Sequence, residues 1–364
     1  MARHMFFGGN TPDGFYSCFG NILFPDEARK IIYLKGSSGG GKSTLMRKVG
    51  KIFEDKGYLV DYIHCSNNVA DLDGICIRDL GISLIDGTAP HICDPLMPGA
   101  IDEIFNSGDF IDKSYVEKRA KELLKLQAEK KPYYEKAYRY LKAAYEIYLN
   151  NSHMRKQALD TVKLERAIEK ESEFLREKEI AEKPDRFRKM FSGAITPQGN
   201  VNYIDTLIKG LDIIVLKGND GMGTDIFLEK IKDMAISRGY YVEGLFCSLN
   251  VEKLDHLILP ELNICYTTVN DYHATSLTKE REIDFYEFVD SAFLNEYKDE
   301  MAYNSKMASE LMERAMNMMA GQKVIHDNIE SIYIKSMDFD GLNRASESIT
   351  DRLLKLIPDE ECEV

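Results

Sequence analysis

Gly36-Ser37-Ser38-Gly39-Gly40-Gly41-Lys42-Ser43-Thr44 fits the pattern G-x-x-x-x-G-K-[ST] at every fixed position. Before it stands Ile31-Ile32-Tyr33-Leu34, a short apolar run of β type. After it Leu45 to Phe53 reads as a helix, with Gly57 as its stop. The stretch therefore lies where a strand turns into a helix. Glycines there let backbone N–H groups close around phosphate oxygens, and the helix N-terminus adds partial positive charge. In such a loop Lys42 reaches the β and γ phosphates, and Ser43 offers its hydroxyl to Mg²⁺.

Working outward, the sequence repeats itself. Shifted by 182 positions, the loop falls on Gly218-Asn219-Asp220-Gly221-Met222-Gly223-Thr224-Asp225, and Ile31–His91 matches Ile213–His273 without a gap at 20 of 61 positions. Phe6, Gly8, Thr11, Pro12 and Gly14 recur as Phe191, Gly193, Thr196, Pro197 and Gly199 at a shift of 185. Thr-Pro-x-Gly between short apolar runs reads as a tight hairpin turn. It could cover a ligand, but its presence in both copies favours a structural role. The chain is a duplicated α/β unit.

In each copy a second strand follows the loop helix, at Tyr58–Ile63 and at Tyr240–Leu245. Ile82-Ser83-Leu84-Ile85-Asp86 is an apolar strand ending in an acid, where Asp86 would hold Mg²⁺ directly or through water. From Ser114 the composition turns Lys/Glu/Ala/Leu-rich. Ser114-Tyr115-Val116-Glu117 reads as a capping box. Tyr133, Ala137, Tyr140, Leu141, Ala144, Tyr145 and Tyr148 share one helical face, with Pro132 starting or kinking that helix. Asn150-Asn151-Ser152 reads as a turn into a second helix carrying Leu159, Val162, Leu164 and Ile168, which makes a helical hairpin. Lys183-Pro184-Asp185 reads as a linker. In the second copy Met301–Met319 is helix-like, Gly321 breaks it, and further helices run to about Ile357, with His326 matched to His153. The expected units are 1–112, a hairpin at 113–185, 186–297 and a helical segment at 298–364.

The net charge of −13 makes non-specific nucleic-acid binding an unsuitable role, since that needs clustered Lys and Arg. Seven cysteines carry no C-x-x-C pair and no zinc spacing. Cys65, Cys76 and Cys93 lie in or near apolar runs and read as buried free thiols, which suits a reducing cytoplasm. Met1-Ala2-Arg3-His4 does not begin a secretory signal, and no apolar run approaches the ~20 residues of a membrane helix.

The two copies also test each other. In the second loop Lys42 becomes Thr224 and Ser43 becomes Asp225, and Asp86 becomes Thr268. Asp220 and Asp225 would crowd phosphate oxygens, at roughly 4 kcal/mol for one like-charge pair at ~4 Å and an effective dielectric of ~20. The second loop is expected not to bind ATP. Cys65, Asn68, Asp73 and His91 keep their identity as Cys247, Asn250, Asp255 and His273, which points to a role in the fold or the interface. His91 could instead sense a γ-phosphate. A metal site from His91 and His153 has no supporting spacing.

Residues 36–44 and 82–86 resemble the P-loop NTPase superfamily, and the whole chain resembles a family of tandem P-loop ATPases with an intact first and a degenerate second loop. The resemblance implies duplicated P-loop NTPase domains with mostly parallel sheets flanked by helices. It also implies ATP as ligand, Mg²⁺ on Ser43 and Asp86, a nucleotide cradle from Gly36, Ser37, Ser38, Gly39, Gly40, Gly41, Lys42, Ser43 and Thr44, and catalysis through Lys42 and Asp86. No N-K-x-D, L-S-G-G-Q or protein-kinase motif is present. An ATPase driving a conformational change is the first expectation. A phosphotransferase with a helical lid over a small acceptor and a non-enzymatic nucleotide sensor or scaffold are the alternatives. The acceptor or protein partner is unspecified. The duplication suggests a monomer built as an internal pseudo-dimer.

Overall fold

Along β4 (Lys30–Lys35), Ile31 and Tyr33 face one hydrophobic cluster while Ile32 and Leu34 face another. A strand covered on both faces reads as a continuous apolar run, because alternate side chains point to opposite sides. Around it the computed structural model describes residues 2–179, 181, 186–270 and 273–358. The expected linker at 183–185 lies outside them.

The first half contains β1 (Ala2–Met5), the hairpin β2 (Gly8–Thr11) and β3 (Gly14–Ser17), β4, α1 (Lys42–Asp55), β5 (Val60–His64), β6 (Leu72–Ile77), β7 (Ile82–Asp86) and β8 (Asp102–Asn106). The helices α2 (Lys113–Glu117), α3 (Ala120–Gln157) and α4 (Thr161–Glu171) follow. The second half repeats this with β9 (Phe187–Met190), β10 (Gly193–Thr196), β11 (Gly199–Asn202), a short α5 (Ile204–Leu207), β12 (Asp212–Lys217), α6 (Thr224–Ser237), β13 (Val242–Phe246), β14 (Leu254–Leu259), β15 (Ile264–Val269) and β16 (Arg281–Asp284). It ends with α7 (Ser291–Glu296), α8 (Lys298–Ile334) and α9 (Phe339–Leu354). The sheet orders are β1-β5-β6-β7-β4-β8 and β16-β12-β15-β14-β13-β9. In each sheet one strand, β6 or β14, runs against the other five. The chain is thus α/β, with two mixed and mostly parallel sheets in a duplicated layout. Among the described residues no helix is long and apolar enough to cross a membrane.

The halves meet about a pseudo-two-fold axis. Just beyond the edge strands β1 and β9, Phe6 and its counterpart Phe191 exchange both backbone hydrogen bonds, each 2.9 Å. Beside them lie four charges. Arg3 pairs with Asp61 (2.7 Å) on its own sheet and with Glu243 (2.8 Å) across the axis. Arg188 pairs with Glu243 (3.2 Å) on its own sheet and with Asp61 (2.7 Å) across it. Burial alone would raise the Asp61 and Glu243 carboxyls, but the two guanidinium groups hold both below their usual range.

The helices do not form the expected hairpins. α3 packs along α8, burying Ala137, Leu141, Ala144 and Tyr148 against Ala308, Met312, Ala315 and Met319, while Tyr140 stays exposed. The supposed turn at Asn150-Asn151-Ser152 is helical. The Asn151 amide donates to the Met301 carbonyl (2.8 Å) and Ser305 Oγ (3.0 Å), and its oxygen accepts from Asn304 (3.0 Å). A polar bridge between helices looks, in sequence, like a break in one. Gly321 likewise does not end α8. The Tyr133 ring lies over it, where a Cβ would stand 2.6 Å from a ring carbon. Pro132 falls inside α3, leaving the Ala128 carbonyl without its helical donor.

Each long helix crosses to the other half, and the helix after it docks there. Leu164 and Ile168 of α4 join the core of the second half, and Ile349 and Leu353 of α9 join the core of the first. The caps show the correspondence. Asp112, not Ser114, caps α2, matching Asp290 at α7, and Asp160 at α4 matches Asp338 at α9. Both pairs are offset by 178. This offset sets Tyr148, not His153, opposite His326.

Candidate functional site

The glycine-rich loop leaves the carboxyl end of β4 and enters α1. Gly41, with φ of +76°, precedes the helix in the left-handed region, and a Cβ there would stand 2.5 Å from Leu342 of α9. A Cβ at Gly39, whose φ is +73°, would stand 2.7 Å from Ile334 and 3.1 Å from the Glu330 carbonyl of α8. The helices that close over the first loop therefore come from the second half. The second loop mirrors this, with the Ser152 carbonyl of α3 over Gly221 and Leu164 of α4 over Gly223.

Ser37 to Thr44 line a cavity of about 860 Å³ together with Asp86, at the upper end of the range for small-molecule sites. Lys42 is buried. Its ammonium donates to the Gly36 and Ser37 carbonyls (both 2.9 Å) and stands 3.5 Å from Asp86 Oδ2. Asp86 lies at the end of β7, next to β4 in parallel register, and its Oδ1 accepts from the Thr88 backbone (2.9 Å) and hydroxyl (2.5 Å). The Ser43 hydroxyl accepts from the Leu72 N–H (3.1 Å). Every residue expected at the site except Gly36 thus lies on its wall, and the Gly36 carbonyl accepts from Lys42.

The site is larger than the motifs. Cys65, Asn68, Asp73 and His91, expected to hold the fold or the interface, also line the cavity. Donor atoms of Asp73, Asp86 and His91 lie within 4.8 Å of one another. His91 stacks on Phe19 with ring centres 4.6 Å apart and stands 3.6 Å from Asp73. Burial, reinforced by Asp86 although opposed by His91, pushes the Asp73 carboxyl up to about 6. His153 is exposed on α3, beside the second loop, so it does not join His91. Of the expected buried thiols, Cys76 is buried while Cys65 and Cys93 are half-buried. The far wall comes from α3 and α8, through Gln127, Lys130, Tyr134, Tyr138, Gln322 and His326. No sequence motif marks these positions.

At the second loop a lysine fills the space. Lys253, which replaces Asp71 of the first half, pairs with Asp255 (2.8 Å) and Asp220 (3.2 Å), and His273 pairs with Asp255 (3.0 Å). The positive charge lost from the loop at Thr224 has moved to the opposite wall, where it neutralises the acids of the site itself. Burial, together with Asp220, still raises the Asp225 carboxyl. Nearby, His256 is buried, its Nδ1 2.8 Å from Thr267 Oγ1, and burial reinforced by His273 pushes it down to about 3. It stays neutral in the folded chain while an unfolded histidine gains a proton below about 6.5. The unfolded state then binds more protons, so stability falls as pH drops from about 6.5 toward 3, by up to about 1.4 kcal/mol per pH unit from this group. His256→Gln should flatten the dependence of the urea midpoint on pH between 6 and 4. An unaltered slope would show that His256 is not the titrating group.

No protein-family model matches the chain, and no curated protein or solved structure matches it either.

Proposed function

We propose that the first half binds Mg²⁺-ATP in the cavity over residues 36–44 and hydrolyses it, and that the second half supplies the lid rather than a second active site. The observation that carries this reading is the buried Lys42 ammonium, held at the mouth of a strand-to-helix glycine loop 3.5 Å from Asp86. In the resting chain Lys42 is held by loop carbonyls that a phosphate oxygen would replace, and the loop N–H groups would take the remaining oxygens. The donors on the opposite wall fit Mg²⁺, a hard cation that takes oxygen ligands. Asp86 and Asp73 are carboxylates, and Ser43 adds a hydroxyl. The ion, when bound, would neutralise charge on the transferring phosphoryl group. Asp73, which lies beside Asp86 and His91, would serve as a ligand to the ion or to a water on it. The α8 and α9 lid limits access of bulk water.

Calorimetry with Mg²⁺-ATP tests this. Lys42→Ala should weaken binding by at least about tenfold, the scale of losing a charge-assisted contact, with the fold intact. Asp86→Ala should weaken binding with Mg²⁺ more than binding without it. Unchanged affinity in Lys42→Ala defeats the proposal. A phosphotransferase is the second reading, because the cavity extends from the loop to Tyr134 and Tyr138, where an acceptor has room. Turnover that appears only with an added acceptor would select it.

A further inference from the structure

We propose that Lys130 of α3 and His326 of α8, one residue from each copy's long helix, form a second phosphate-recognition site that reads the terminal phosphate of the bound nucleoside triphosphate. The inference rests on the nucleotide reading above.

The geometry comes first. His326 Nε2 stands 3.2 Å from the Ser38 hydroxyl in the middle of the loop, and its Nδ1 stands 3.0 Å from the Lys130 ammonium. An ammonium can only donate, so Nδ1 accepts and the ring proton sits on Nε2, aimed at the loop. Burial, with Lys130 adding to it, pushes His326 down to about 4, which keeps the ring neutral and this tautomer in place. A phosphate seated in the loop beside Ser38 therefore meets a donor from above as well as Lys42 from below.

The charge balance points the same way. Burial lowers the Lys130 ammonium, and among the described residues no carboxylate lies within ion-pair distance of it. Glu330 and Asp71 line the same cavity, and burial, reinforced by Asp71 and Asp327, raises Glu330. A desolvated cation without a counter-ion, lining the same cavity as a glycine-rich loop, is a seat for an anion.

The duplication supplies the control. At the offset of 178 fixed by the helix caps, Lys130 corresponds to Ala308, Tyr134 to Met312 and Tyr138 to Met316, while Gln322 corresponds to Ala144 and His326 to Tyr148. At these positions the second half carries small or apolar side chains and one tyrosine, and the cation that reaches the second loop from α3 is a different residue, the buried Arg155, which donates to the Asp220 carbonyl (3.3 Å). The half that lacks the loop lysine also lacks both polar roof residues. A bond that merely tied α3 to α8 would have no reason to vanish with the loop chemistry.

The test uses the full chain and calorimetry with Mg²⁺-ATP and Mg²⁺-ADP. Lys130→Ala, which installs the counterpart's residue, and His326→Ala should each weaken ATP by about tenfold while changing ADP by less than about twofold. Lys130→Arg should keep most of the wild-type preference. A structural tie would instead lower the thermal midpoint and leave the ATP-to-ADP ratio alone. That outcome, or an equal loss for both nucleotides, overturns the roof assignment. Failure of the wild-type chain to bind either nucleotide defeats the nucleotide reading, and this inference with it.

Discussion

Residues 1–185 expressed alone will not give a monomeric folded domain. The fragment keeps the first sheet and its loop but loses what covers them. Leu141 and Tyr148 of α3 lose α8, Leu164 and Ile168 of α4 lose the second half's core, and the first half's own core loses Ile349 and Leu353 of α9. Each large side chain returned to water costs about 1.5–3 kcal/mol. The four exposed side chains of the fragment alone reach roughly 6–12 kcal/mol, comparable with the whole stability of a typical domain, and the core that Ile349 and Leu353 covered is uncovered besides. Light scattering should show aggregates or self-associated species. Co-expression with residues 186–364 should restore a soluble one-to-one complex. A soluble monomeric fragment that binds ATP as tightly as the full chain would mean that the halves are independent modules, and it would remove the basis for a lid in trans.

Arg188→Ala should be the most damaging single substitution away from the loop. Arg188 is 1 % exposed and carries bonds to Asp61, to Glu243 and to the Asn21 and Ile22 carbonyls. Its removal leaves two buried carboxylates with Arg3 as the remaining central cation and strands two carbonyls. Breaking a buried charge network in this way costs about 3–5 kcal/mol, against 0–1 for an exposed pair. Urea titration at neutral pH reads the loss. Adding Glu243→Gln should recover part of it, because one uncompensated charge goes with it. A loss below about 1 kcal/mol would show that the quartet is solvated and does not hold the halves together.

The sequence made the local features readable. The loop, the flanking strand and helix, the strand ending at Asp86, the hairpin turns and the duplication all carry short-range signals, such as glycines at fixed spacing or apolar runs of strand length. The features that assemble the halves carry none. Arg3, Asp61, Arg188 and Glu243 lie far apart in sequence, and each alone resembles a surface charge on a strand. Asn151 looked like a turn because an asparagine that bridges two helices leaves the same mark as one that ends a helix. Gly321 looked like a break because a glycine that admits an aromatic ring and a glycine that stops a helix are written alike. Lys130 and His326 sit in a run rich in charge and in a Met-rich helix. The meaning of either residue emerges only when the other helix is placed across it. Asp73 and His91 were visible in sequence because both copies keep them; they are buried and packed as that persistence suggests, and the sequence did not show that they also line the cavity.

The exchange of helices also has a kinetic side. Arg29 near the start of the chain donates to the Leu356 carbonyl near its end, a separation of 327 residues, and Arg352 reaches Glu103 across 249. Contacts so distant along the chain close late and slow the search for the native state. During synthesis the first sheet leaves the ribosome long before α8 and α9 exist, so the loop at residues 36–44 stays uncovered until they emerge. A chain that terminates early presents the loop without its roof. The cover of the first half's loop is supplied by α8 and α9, so that loop is roofed only after the second half has been made.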